Sequence, residues 1–85
     1  MRALEVIAVT LKEGRVHPTT VVNTLIETEN EGGQSALRRL ERELARSSRL
    51  LRERKHPHSD LARAWLQATR AYMVTHALNT QRQAS

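Results

Sequence analysis

Arginine at helical spacing is the chemistry this chain offers most plainly. In QSALRRLERELARSSRLLRERK, residues 34–55, Arg38, Arg42, Arg46 and Arg49 follow one another at steps of four, four and three. Side chains three and four apart share one face of a helix, so these guanidiniums form a ridge. Arg39 stands at its margin, and Glu53 is the only acid in the arc. A guanidinium fork binds carboxylate or phosphate oxygens two at a time. Leu50 lies beside the ridge and outside the helix's leucine seam, and an exposed leucine among arginines suits a protein interface. Proteins that grip single-stranded nucleic acid interleave aromatics for stacking, and this stretch has none. The residues therefore predict a small non-enzymatic regulatory or adaptor protein. It would bind an acidic protein surface through Arg38, Arg39, Arg42, Arg46, Arg49 and Leu50. The alternative is a nucleic-acid-binding protein that sets the same face against the phosphate backbone. The plainer reading is a solvated face, braced by Glu43 with Arg39 and Arg46 and by Glu53 with Arg49, each pair worth about 0.2–0.5 kcal/mol.

The histidines offer less. His56 and His58 flank Pro57, and His17 precedes Pro18. A metal site would need further ligands at matching spacing; there is no cysteine, and Asp60 is better used as a helix cap. No metal, cofactor or catalytic residue is expected. Arg70 and His76, in RAYMVTH, resemble the arginine-to-histidine spacing of helical HEPN-type ribonucleases, in which two such pairs meet across a dimer. The resemblance covers seven residues. Arg49–His56 and Arg52–His58 match it too, and Ala71 stands where that family has a polar residue after the arginine. His76 is instead read as a partly buried histidine bordering the Trp65–Tyr72 stripe. A helix-turn-helix is excluded on different grounds. Its second helix needs apolar residues about six and nine positions after the turn glycine. Gly33 gives Arg39 and Arg42, and Gly32 gives Arg38 and Glu41.

The elements that position these residues read as helices. Residues 3–13 place Leu4, Ile7, Ala8 and Leu11 on one face before Gly14 stops the helix. The β-branched Val6, Ile7, Val9 and Thr10 argue for a strand, but alternation is missing, so helix is expected. Pro18 suits a first helical turn, and Val21, Val22, Leu25 and Ile26 give residues 18–30 an apolar side. Glu27, Glu29 and Glu31 sit at the wrong end of that helix for its dipole, which points either to a cationic neighbour, the arginine helix being the candidate, or equally to a solvated acidic turn. Residues 35–55 carry Leu37, Leu40, Leu44 and Leu51 opposite the ridge, with Ser47 and Ser48 completing that face. Pro57 breaks the pattern, Ser59 or Asp60 can cap the last helix, and residues 60–80 form it. There Leu61, Trp65, Ala68 and Tyr72 make one stripe, flanked by Ala64 and Ala71, and Leu66, Met73 and Ala77 a second. The tail 81–85 is expected to fray. The fold class is all-α: one domain over 1–85, a compact bundle of about four helices, two short then two long, the last two an antiparallel hairpin.

Charge and composition narrow the setting. The net charge of +5 is unevenly placed: residues 1–33 hold three basic and five acidic side chains, and residues 38–55 hold eight basic and three acidic. Such an excess on one helix can steer an anionic partner. No apolar run approaches the roughly 20 residues that span a bilayer, and the N-terminus lacks a signal-peptide pattern. A cytoplasmic protein with no membrane partner is expected. With only one Trp, one Tyr and no Phe, a lone chain of 85 residues would bury a thin core, which homodimerisation would remedy.

Overall fold

A computed structural model describes residues 2–84, with side chains as far as residue 76. Three helices account for them: α1 (Arg2–Glu13), α2 (Pro18–Glu53) and α3 (Ser59–Ala84). The expectations for Ala77 and for the tail at 81–85 fall outside the described side chains. Residues 3–11 are helix, not strand. Gly14 ends α1 with φ 81° while its N–H bonds the Thr10 carbonyl at 2.8 Å, a left-handed stop that glycine adopts freely. Pro18 opens α2, and His17 before it is extended (φ −79°, ψ 142°), the conformation a following proline imposes.

The expected helices 18–30 and 35–55 run together as α2, which counts as one of three helices although its helical backbone is broken where the sequence placed the break. The interruption is a single residue: Gly33 has φ 63° and ψ −152°, a backbone region open almost only to glycine. A straight helix of 36 residues would be about 54 Å long. The whole molecule measures 46 × 21 × 20 Å. The ends of α2 also lie near each other, because Gly14, just before Pro18, packs on the ring of His58, just after Glu53. α2 therefore folds back at Gly33. Both of its arms lie along α3: Glu29 of the first reaches Tyr72, and Glu41 of the second reaches Arg70.

The core runs between these layers. Leu37, Leu40 and Leu44 of the second arm are buried, as the leucine seam predicts, together with Leu25, Ile7, Ala3, Ala62, Trp65 and Leu66. Leu51, Ser47 and Ser48 are only half-buried. Three faces differ from the sequence reading. In α1 the inward residues are Ala3, Ile7 and Thr10, while Ala8 is exposed. The reason is Trp65: its indole N–H, 1 % exposed at the residue level, donates to Thr10 Oγ1 at 2.9 Å, and that hydroxyl donates to the Ile7 carbonyl at 2.8 Å. In the first arm Thr24, Leu25 and Thr28 face inward, leaving Val22 (50 %) and Ile26 (39 %) exposed. Threonine can be buried here because Thr24 and Thr28 each return their hydroxyl to the carbonyl four residues back. In α3, Thr69 is buried by the same device on the Trp65 carbonyl, while Ala64 and Ala71 are exposed. Among the described residues no buried side-chain nitrogen or oxygen lacks a partner.

The turn at residues 54–58 fixes α1 as well as α3. His58 Nδ1 donates to the Leu11 carbonyl at 2.6 Å, satisfying one of the acceptors that a helix C-terminus leaves open. Ser59 and Asp60 lie within the first turn of α3 rather than before it, and the His58 carbonyl accepts the N–H of Leu61 and of Ala62. Among the described residues, no helix is long and apolar enough to cross a membrane.

Candidate partner-binding surface

The second arm of α2 presents its seam inward and its arginines outward, because the two sets are half a helical turn apart. Arg38, Arg39, Arg42, Arg46 and Arg49 are all exposed, and Leu50 beside them is 42 % exposed. Arg38 to Arg49 covers about 16 Å of helix at 1.5 Å per residue. Among the described residues none of these arginines has a carboxylate within 4.0 Å; the ion pairs there are Arg70–Glu41 and His76–Glu29. The expected braces from Glu43 and Glu53 are thus not formed. The acid on the inner flank, Glu41, is drawn across to Arg70 Nε on α3 at 3.0 Å, which leaves Arg38 and Arg42 on either side of it uncompensated. At the N-terminal end of the ridge, Ser35, Arg38, Arg39, Glu41 and Arg42 line a surface depression of about 500 Å³. Guanidiniums already desolvated by an internal carboxylate would have little left to offer a ligand. These five retain their whole donor set.

A second polar constellation was not read from the sequence. Glu29 on the first arm accepts Tyr72 O–H at Oε1 (2.8 Å), and its Oε2 lies 3.3 Å from His76 Nδ1. The His76 ring stacks on Tyr72 with centroids 4.0 Å apart. Burial first, then the hydrogen bond to Glu29 and its negative charge, push the Tyr72 hydroxyl up to about 12. Among the described residues no arginine or lysine comes within 4.0 Å of Glu27, Glu29 or Glu31; Glu29 is instead held by Tyr72 and His76 on α3, not by the arginine helix. The misplaced acids were the available signal; the partner lay beyond local spacing. Next to this cluster, Val21, Val22, Leu25, Ala68, Ala71 and Thr75 line an apolar groove of about 330 Å³ between the first arm and α3.

Of the remaining candidates, His17 is exposed before α2 and makes no side-chain cap there, whereas the others are committed to structure. Arg70 and His76 turn to different arms of α2, towards Glu41 and Glu29, and do not converge. His56 Nδ1 accepts the His58 N–H at 3.0 Å, and His58 Nδ1 is occupied by the Leu11 carbonyl. Among the described residues no group of three or more metal-binding side chains comes together. No protein-family model, curated protein or solved structure matches this chain.

Proposed function

We propose that the protein is a small non-enzymatic adaptor or regulator that captures an acidic protein surface through the second arm of α2. One observation carries this reading: Arg38, Arg39, Arg42, Arg46 and Arg49 are exposed at helical spacing, without a carboxylate partner among the described residues, beside an exposed leucine. Bidentate forks at that step match carboxylates on a facing helix, and Leu50 supplies apolar contact at the rim. Tyr72, His76 and His58, which could have served catalysis, are engaged in holding the helices together, which supports a binding role over an enzymatic one.

The rival is a phosphate backbone on the same ridge, supported by the same unpaired arginines and by Arg52, Arg54 and Lys55 nearby, all exposed. Affinity capture with the full chain, with and without nuclease, separates the two. A partner that survives nuclease and is lost with Arg42→Glu/Arg46→Glu is the expected result. A catch that disappears with nuclease would transfer the site to the nucleic-acid reading.

A further inference from the structure

Among the described residues the ridge is not alone in lacking an ion-pair partner. The first arm of α2 carries Glu27, Glu29 and Glu31 and no basic residue. Glu29 is taken up by Tyr72 and His76, whereas Glu27 and Glu31 are exposed and have no cation within 4.0 Å among the described residues. They sit near the C-terminal end of that arm, where the helix dipole opposes negative charge, so nothing in their own helix accounts for them. Across the bend stand Arg38 and Arg42, equally exposed and equally without a carboxylate. The two sets belong to one molecule, yet they do not meet within it. The arms share their inner faces with α3, and both sets point outward.

We propose that a second copy of this chain joins them: Glu27 and Glu31 of one protomer pair with Arg42 and Arg38 of its partner, and a two-fold axis repeats the contact. The spacing supports the register. Glu27 to Glu31 and Arg38 to Arg42 are both four-residue steps, about 6 Å along a helix, so antiparallel arms set each carboxylate opposite a guanidinium. The one acid between the two arginines, Glu41, lines the same depression but is drawn off by Arg70 at 3.0 Å. Asn23, Asn30 and Ile26 lie beside the acids, and Arg39 and Arg46 add positive charge on the other side. A two-fold arrangement uses every one of these pairs twice and closes without forming a filament. This inference rests on the reading of the ridge as a carboxylate-binding face and names its occupant. An outside acidic partner would compete with the second copy for Arg38 and Arg42.

Sedimentation of the full chain tests it, with a charge-swap pair as the deciding arm. At about 10 mM salt, where charges act over about 30 Å, the parent should sediment well above the 9.7 kDa of one chain. At about 1 M salt, where that reach is about 3 Å, the association should weaken. Glu27→Arg/Glu31→Arg and Arg38→Glu/Arg42→Glu should each raise the dissociation constant about tenfold or more, and mixing the two should restore a heterodimer. All four positions are exposed, and circular dichroism checks each fold; neutral Gln versions of the same pairs serve if a reversed variant unfolds, and should also weaken association. A parent that is monomeric at low salt overturns the inference, and so does association that survives the reversals or is not restored by mixing. If the parent is monomeric but binds a synthetic acidic helical peptide through the ridge, self-association fails while the ridge reading stands.

Discussion

Gly33→Ala tests whether one backbone position holds the fold in its bent form. The added methyl would meet nothing within 4 Å, so any effect comes from backbone conformation alone. Holding alanine at φ 63° and ψ −152° costs about 1–3 kcal/mol. The chain has one escape, which is to make residue 33 helical and let α2 run straight. That would gain about 1 kcal/mol of helix propensity. It would also pull the first arm off α3, exposing Leu25, now 2 % exposed and worth about 2 kcal/mol by itself, and breaking the Tyr72–Glu29 bond. The bend should therefore persist and the strain be borne. The variant should lose about 1–3 kcal/mol in urea unfolding followed by Trp65 fluorescence, or about 4–8 °C of melting temperature for each kcal/mol. A variant as stable as the parent would refute the claim that residue 33 sits in a conformation alanine resists, and a longer molecule in small-angle scattering would refute the claim that the first arm's contacts with α3 outweigh that strain.

Two further perturbations probe the contacts that tie α3 to its neighbours. Trp65→Ala should cost about 3–5 kcal/mol, since the indole is buried and anchors α1 through Thr10; a melt like that of the parent would remove it from the core. Tyr72 is the chain's only tyrosine, so alkaline absorbance titration reads it alone, and its ionisation should fall near 12 rather than the usual 10. Because its folded-state value is raised, the stability it contributes is complete below pH 10 and is lost as pH climbs towards 12. Glu29→Gln should bring the titration back towards 10 by removing the charge and the carboxylate acceptor; an unmoved titration would show that Glu29 does not govern it.

Local spacing carried the sequence reading where the physics is local. The stop at Gly14, the start at Pro18, the buried Leu37, Leu40 and Leu44 and the outward arginines all follow from helical periodicity and backbone chemistry. The failures have a common cause: a partner distant in sequence. Thr10 turns inward because Trp65 needs an acceptor, and Val22 and Ile26 stay outside because Thr24 and Thr28 satisfy their own hydroxyls and can take the inner face. Glu41 leaves its helix neighbours for Arg70, and Glu29 finds Tyr72 and His76. Gly32–Gly33 was legible as a break. That α2 folds back there, so that both arms share α3, depended on the His58 turn closing over Gly14.

The central claim is that the arginine ridge recognises carboxylates on a protein rather than phosphates on nucleic acid. Fluorescence anisotropy tests it with two probes, a synthetic helical peptide bearing glutamates four residues apart and a plain duplex DNA. A parallel series substitutes Arg42→Lys/Arg46→Lys, because lysine holds a phosphate as a point charge but cannot make the two-pronged carboxylate contact. The predicted result is binding to the peptide that weakens only modestly between about 50 and 200 mM salt and falls markedly with lysine. Tight binding to the duplex, lost by about 10³ or more over that salt range and tolerant of lysine, would contradict it.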